Sequence, residues 1–253
     1  MVKVVILGTG NLATNLFKAC KTAKNITVVQ VYNHHNQSLK AFEEFTEVTT
    51  NLNDLKTANF YILALKDDII PGIAKKINTK SGIVLHTSGA MHINALDKNE
   101  NFGVFYPLQT FSKEKAVNFT EIPICIEANS EENLDQIKDF ALKLSQDVRE
   151  IDSTQRKALH LAAVFVNNFS NHLYDLGDEI CREHQVDFSI LQALIKETAS
   201  KVETLSPREA QTGPSVRADT ATMHSHLELL TGHKKKIYTL LSDSIQKLHG
   251  KKL

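Results

Sequence analysis

Val2-Lys3-Val4-Val5-Ile6-Leu7-Gly8-Thr9-Gly10-Asn11-Leu12-Ala13 decides how the rest of the chain is read. A short apolar run with β-branched residues meets a Gly-x-Gly-x-x-Ala turn, and helix-forming sequence follows at once. That order of strand, tight turn and helix is the dinucleotide fingerprint in the setting it requires. Each small residue has a task. Gly8 permits the sharp exit from the strand, and Gly10 removes a Cβ that would hold a pyrophosphate off the backbone. Ala13 lets the helix pack closely on the strand. The helix that begins near Asn11 aims its free N–H groups and positive dipole end at the phosphates. Gly8, Thr9, Gly10, Asn11 and Leu12 are therefore the expected cofactor seat.

The second strand, residues 26–32, ends in Asn33-His34-His35. A carboxylate about 20 residues past the glycine turn would accept hydrogen bonds from the ribose of NAD. This tip carries no acid. Asn33 offers an amide donor, and His34 or His35 gains positive charge beside a phosphate, so the reading leans to NADP over NAD. The plain alternative is a pair of solvent-exposed loop histidines.

A helix over 38–45, short strands near 47–49 and 60–65, a helix over 69–77 and a strand over 83–86 continue the alternation of a doubly wound sheet. In open α/β sheets, ligands sit beyond the carboxyl ends of the strands. Gly8 to Gly10, Asn33, Leu65, Lys66 and the segment from His86 to Ser88 should converge on one crevice. Strands at 102–106 and 123–127 flank an aromatic and polar loop, 106–112, that suits a pocket wall. A helix over 131–145 and a strand over 147–151 complete the first domain. The expected architecture is α/β: an N-terminal Rossmann doubly wound sheet over 1–151, then an all-α C-terminal domain over 152–253.

Totals exclude several classes. Lysine plus arginine and aspartate plus glutamate are 29 each in 253 residues, so nothing points to nucleic acid or an anionic membrane as partner. Cys20, Cys125 and Cys181 are far apart and odd in number, which suits buried thiols in a reducing compartment rather than a disulfide or zinc framework. A strand starting at residue 2 leaves no room for a signal peptide, and no apolar run approaches the ~18 residues of a membrane span. The expectation is a cytoplasmic protein with a small-molecule substrate.

From 153 to 183 no proline occurs, and apolar residues recur at helical spacing, with Ser153 as N-cap. His160, Val164, Asn167 and Asn171 share one stripe, because steps of four and three return to the same face. Such a polar stripe can line a cleft; the plain reading of His160 is a core histidine with a backbone partner. Further helices are expected over 188–204, 222–230 and 234–248, with a turn at Thr212-Gly213-Pro214. Arg217 and Asp219 read either as helix-start residues or, for Arg217, as an anchor for carboxylate or phosphate. His224 and His226, two apart, face opposite sides of a helix, which argues against a metal site. Lys234 to Lys236, Lys251 and Lys252 read as solvated faces.

Five segments carry a resemblance: GTGNLA from Gly8, HTSGA from His86, FYPLQTFS from Phe105, KALHLAAVFVNNF from Lys157 and TGPSVRADTATMHSHL from Thr212. Together they span nearly the whole chain. They resemble the family in which a Rossmann-like domain precedes a C-terminal domain of unknown function, labelled NADP oxidoreductase. That family is similar to pyrroline-5-carboxylate reductase and to deazaflavin-dependent NADP reductase. The resemblance implies a helical domain of the 6-phosphogluconate-dehydrogenase type and a homodimer formed through its helices. In the related β-hydroxyacid dehydrogenases the long helix carries a catalytic Lys followed four residues later by Asn. Here Lys157 is followed at that spacing by Leu161, so His160 with Asn167 or Asn168 stands in for the pair.

The expectation is an NADP-dependent oxidoreductase acting on a small carbonyl or imine compound. His160 or Lys157 delivers the proton, and Ser88 or Asn167 positions the substrate. The alternative is a non-catalytic dinucleotide-binding sensor.

Overall fold

The structure, a computed structural model, describes residues 1–77, 81–115 and 117–249. Lys251 and Lys252 lie outside them. Two compact units make up the chain, residues 1–168 and 169–253.

The first unit holds strands β1 (Val2–Leu7), β2 (Ile26–Tyr32), β3 (Glu47–Thr49), β4 (Phe60–Leu63), β5 (Ile83–His86), β6 (Phe102–Pro107), β7 (Ile124–Ala128) and β8 (Val148–Glu150). They form one sheet in the order β3-β2-β1-β4-β5-β6-β7-β8. Every pairing is parallel except that of β6 with β7. The order reverses direction at β1, which places the topological switch point between β1 and β4.

Period-two alternation sorts the side chains between the two faces. Val4, Ile6, Phe60, Ile62 and Leu85 pack with helices α1 (Asn11–Thr22) and α3 (Glu131–Ala141) through Leu16, Phe17, Ile137 and Phe140. Val5, Leu7, Tyr61, Leu63 and Val84 face the other way, toward Ile70 and Ala74 of the short helix α2 (Ile70–Ala74). Each fully buried Val, Ile or Leu contributes about 1.5–3 kcal/mol of transfer free energy.

Two local expectations give way. Residues 38–45 form successive tight turns rather than a helix: Leu39 N–H donates to Asn36 O, Phe42 N–H to Leu39 O and Phe45 N–H to Phe42 O. Apolar residues spaced at three, not alternating three and four, fit a three-residue turn that buries Leu39 and Phe42 under Phe17. The cap of the long helix lies one residue earlier than expected. Asp152 caps α4 (Ser153–Ala163) in a capping box with Gln155, whereas the Ser153 hydroxyl is drawn to Glu127.

The expected boundary at 151/152 and the division into compact units differ for a physical reason. Arg156 is fully buried among sheet-unit groups, and Leu159 packs on the cluster of Ile93, Val104, Tyr106 and Cys125. Helix α4 therefore belongs with the sheet. A π-helical segment, Val164–Phe169, follows it, and the units divide within that segment.

The second unit contains α5 (Ser170–Glu183), α6 (Gln192–Lys201), α7 (Pro207–Ala210), α8 (Thr220–Leu229) and α9 (Gly232–His249). Asp219 caps α8 by accepting from Thr222 N–H, so it is a helix-start residue. Lys234 corrects the sequence reading. It is nearly buried, with its ammonium against the carboxylates of Glu183 and Glu179, and so ties α9 to α5. Among the described residues no helix is long and apolar enough to cross a membrane.

Candidate active site

Registers align the carboxyl ends of neighbouring strands: Leu7 sits beside Tyr32 and Leu63, and Leu63 beside His86. Just beyond them come Gly8 to Gly10, Asn33, Leu65 with Lys66, and Thr87 with Ser88. This is the crevice in which ligands of such sheets sit.

The two glycines of the first turn differ in what they are for. Gly8 has φ +123°, and a Cβ on it would stand 2.2 Å from the carbonyl oxygen of Ala64, so the protein itself needs glycine there. Gly10 has an ordinary φ of −73°, and a Cβ on it would meet no protein atom within 4 Å. Nothing in the protein requires glycine at 10. Gly10 also leaves α1 without a side-chain cap, so its leading N–H groups are available to an anion. This cradle fits the pyrophosphate of a dinucleotide.

Around the cradle, Thr9 is buried and its hydroxyl accepts from the Asn33 amide at 2.7 Å. The Asn33 carbonyl accepts from His35 N–H, so the side chain braces the β2 tip and keeps one N–H in hand. His34 and His35 are exposed, with ring centroids 3.8 Å apart. Leu65 packs near Gly8, and Lys66 is exposed. Asn11 donates to Phe111 O, and Asn15 donates to Ser112 O and Asn11 O. These bonds pin the 106–112 loop to the start of α1.

The loop begins at the group that sequence reasoning missed. Tyr106, at the end of β6, places its hydroxyl 3.0 Å from Nδ1 of His160 on α4. Burial pushes the Tyr106 phenol up to about 12, so it stays protonated at neutral pH. Gly89 lets the turn after β5 reach this pair: a Cβ there would stand 2.6 Å from His160 Nδ1 and 2.7 Å from Tyr106 Cζ. A sequence signal exists, since the aromatic and polar loop 106–112 suits a pocket wall. Nothing local connected it to a histidine 54 residues on.

A cleft of about 450 Å³ opens beside the pair, lined by Tyr106, His160, Gln109, Thr110, Asn167 and Asn168 together with aliphatic side chains. Asn167 and Asn168 both reach it because the π segment shifts the helical register between them and α4. Asn171 falls in the other unit. Lys157 lines a second cleft of about 870 Å³ with His92, and this cleft shares His160 and Val164 with the first. Ser88 is buried, and its hydroxyl accepts from the N–H groups of Ala90 and Met91, so its first task is to shape the turn.

Behind the site, Arg156 pairs with Glu127 and donates to Met91 O at 2.6 Å and Ser153 Oγ at 3.0 Å. Ser153 Oγ in turn accepts from Ile93 N–H and donates to Glu127. One buried network thus locks α4, and with it His160, to β7 and to the segment after Gly89. His86 is buried beside it, held neutral by burial and by the Arg156 charge, which bring it down to about 3. In the helical unit, His226 Nδ1 bonds the Tyr238 hydroxyl at 2.9 Å and His224 pairs with Glu228. Arg217 is exposed.

Comparison with known proteins supplies the context. Residues 3–88 match the family described as NADP oxidoreductase coenzyme F420-dependent, and residues 122–245 match a domain of unknown function, DUF2520. A Bacteroides fragilis protein described as a candidate NADP oxidoreductase is 40% identical, with TM-score 0.89 over 97% of this chain and 98% of that one. An imine reductase from Myxococcus stipitatus in complex with NADP+ is 14% identical, with TM-score 0.68 over 98% and 96% of the two chains. A 1-pyrroline-5-carboxylate reductase from Streptococcus pyogenes is 14% identical, with TM-score 0.63 over 99% and 97%. No curated protein matches.

Proposed function

The chain belongs to the NAD(P)-dependent oxidoreductase family that joins a Rossmann-like domain to DUF2520, and on that premise we propose that it reduces or oxidises a small carbonyl or imine compound with NADP. The observation that carries this reading is the approach of Gly89 to the Tyr106–His160 pair. It brings the strand-end crevice, where a dinucleotide binds, against a proton donor.

Gly8 to Leu12 would hold the pyrophosphate, Asn33, His34 and His35 the adenosine phosphate, and Ser88 and Gly89 the nicotinamide end. Support for NADP over NAD is a β2 tip without a carboxylate and with two exposed imidazoles. NADP, when bound, supplies or accepts the hydride.

The chain's own part is the proton. As the substrate carbon gains hydride, the carbonyl or imine electron pair moves onto oxygen or nitrogen, and the Tyr106 O–H protonates it. His160, in the tautomer with Nδ1–H directed at the Tyr106 oxygen, passes that proton to the phenolate as its Nε2 takes one from solvent, so the half-exposed ring stays neutral and ends in the other tautomer. Asn167 holds the substrate's polar end. Lys157 lines the second cleft and not the one that holds Tyr106, so it has no part in this route.

A homodimer suits the helical unit, which leaves Leu194, Leu229, Leu240 and Leu248 exposed. Apolar surface on that scale marks an interaction face, and a second copy of this chain is the proposed partner. Sedimentation of the purified protein tests it. Cys20, Cys125 and Cys181 are free thiols, which supports a cytoplasmic setting.

A titration with NADPH and NADH, followed by reduced-nicotinamide fluorescence, tests the cofactor reading. NADPH binding tighter than NADH supports it, and equal binding overturns the 2′-phosphate assignment. NADPH binding without turnover across a panel of ketones, aldehydes and cyclic imines would favour the sensor.

A further inference from the structure

Among the described residues, no Lys, Arg, Asp or Glu lines the cleft beside Tyr106 and His160. Its polar groups other than the pair are the amides of Gln109, Asn167 and Asn168 and the hydroxyl of Thr110. Leu108, Leu159 and Val166 supply apolar wall. Lys157 belongs to the second cleft, which shares His160 and Val164 with this one.

Two observations make the uncharged cleft the substrate side. It contains both members of the proton-donating pair, whereas the Lys157 cleft contains His160 alone. It also shares Gln109 and Thr110 with the loop whose Phe111 and Ser112 carbonyls are bonded by Asn11 and Asn15 at the cofactor helix. We propose that the substrate is a neutral carbonyl or imine compound with an apolar body and an uncharged hydrogen-bonding substituent, not a carboxylate-bearing metabolite.

This rests on the oxidoreductase reading and narrows it. A carboxylate entering this cleft would exchange water for amides and methyl groups without gaining a cation, which is unfavourable. A ketone or imine with a hydroxyl or amide substituent finds neutral donors and acceptors on Gln109, Asn167 and Asn168, and loses nothing comparable.

Matched probes test it in the full-length protein. Acetophenone is compared with 4-acetylbenzoate, and 2-phenyl-1-pyrroline with its 4-carboxyphenyl counterpart. Turnover with NADPH and calorimetric binding to the NADP+-loaded protein are the two readouts. The neutral member of each pair is expected to have kcat/KM and affinity roughly 10- to 100-fold higher. Val166 is 76% exposed at the cleft wall, so V166K adds a cation without burying it. That variant should narrow the neutral-to-acid ratio about 3- to 5-fold.

A wild-type preference for the acids overturns the inference and leaves the oxidoreductase reading intact. Loss of that preference in K157Q or R217Q would then locate the anchor in the Lys157 cleft or the helical unit. A ratio unmoved in V166K overturns the choice of cleft. Failure to bind or reduce either pair, with NADPH bound, removes both readings together.

Discussion

Tyr106 at the end of β6 and His160 on α4 meet through a 3.0 Å hydrogen bond, which ties an inner strand to the helix that follows the sheet. The bond couples the two side chains, and Gly89 packs against both.

Replacing Tyr106 with Phe removes the donor and keeps the ring. Y106F should lower kcat about 100-fold or more, the usual worth of a general acid, while NADPH affinity stays within about 2-fold. H160N should cost somewhat less. The double variant should be no worse than Y106F, because residues that act in series are not additive. Steady-state kinetics with the best ketone or imine substrate, beside a fluorescence titration, measures both. Additive losses would show that the two act separately.

The glycine turn allows a contrast between neighbours. G8A should destabilise the fold, since its Cβ would overlap the Ala64 carbonyl and φ +123° is strained for any L side chain. G10A should melt as the wild type does, yet bind NADPH at least about 10-fold more weakly. Thermal unfolding and titration of both variants decide it. Wild-type affinity in G10A would mean that the pyrophosphate does not lie over this turn.

What the sequence revealed and what it concealed divide along physical lines. The strand, turn and helix around Gly8 are local, and their chemistry is written in adjacent residues. So are the strand ends that line the crevice. Tyr106–His160 is a long-range contact, and no spacing rule links residues 54 apart. Ser153 and Asp152 are both good helix caps, and the choice fell to Asp152 because Glu127, distant in sequence, and Arg156, one turn on, engage Ser153. Lys234 looked solvated within a basic run until α5 brought Glu179 and Glu183 to it. The π segment escaped because periodicity analysis assumes one pitch throughout.

The buried pair behind the site should behave as coupled charges do. E127A leaves Arg156 buried and unpaired, which should cost about 3–5 kcal/mol in the unfolding of the sheet unit. Replacing both partners, as in E127L/R156L, should recover a large part of that loss. Urea denaturation followed by tyrosine fluorescence measures the cycle. A mild E127A phenotype would mean that Ser153 and Met91 alone satisfy the guanidinium.

His86 sets the acid limb of stability. Its Nδ1 accepts from Ser88 N–H, and a backbone bond at His92 favours the charged form without offsetting burial. Burial, then the neighbouring Arg156 charge, brings it down to about 3, against about 6.5 in an unfolded chain. Between those values the unfolded chain holds the extra proton. The contribution is therefore complete above pH 6.5 and is lost as pH falls toward 3. From pH 7 to pH 5 this group alone should remove about 2 kcal/mol. Asp147 and Asp219 are held low by Arg149 and by the Thr222 N–H, and they act in the same direction only below about pH 4. H86N should flatten the dependence between pH 5 and pH 7, measured by urea denaturation at each pH. An equal slope in wild type and H86N would assign the acid sensitivity to other histidines and leave His86 as a packed, non-titrating residue.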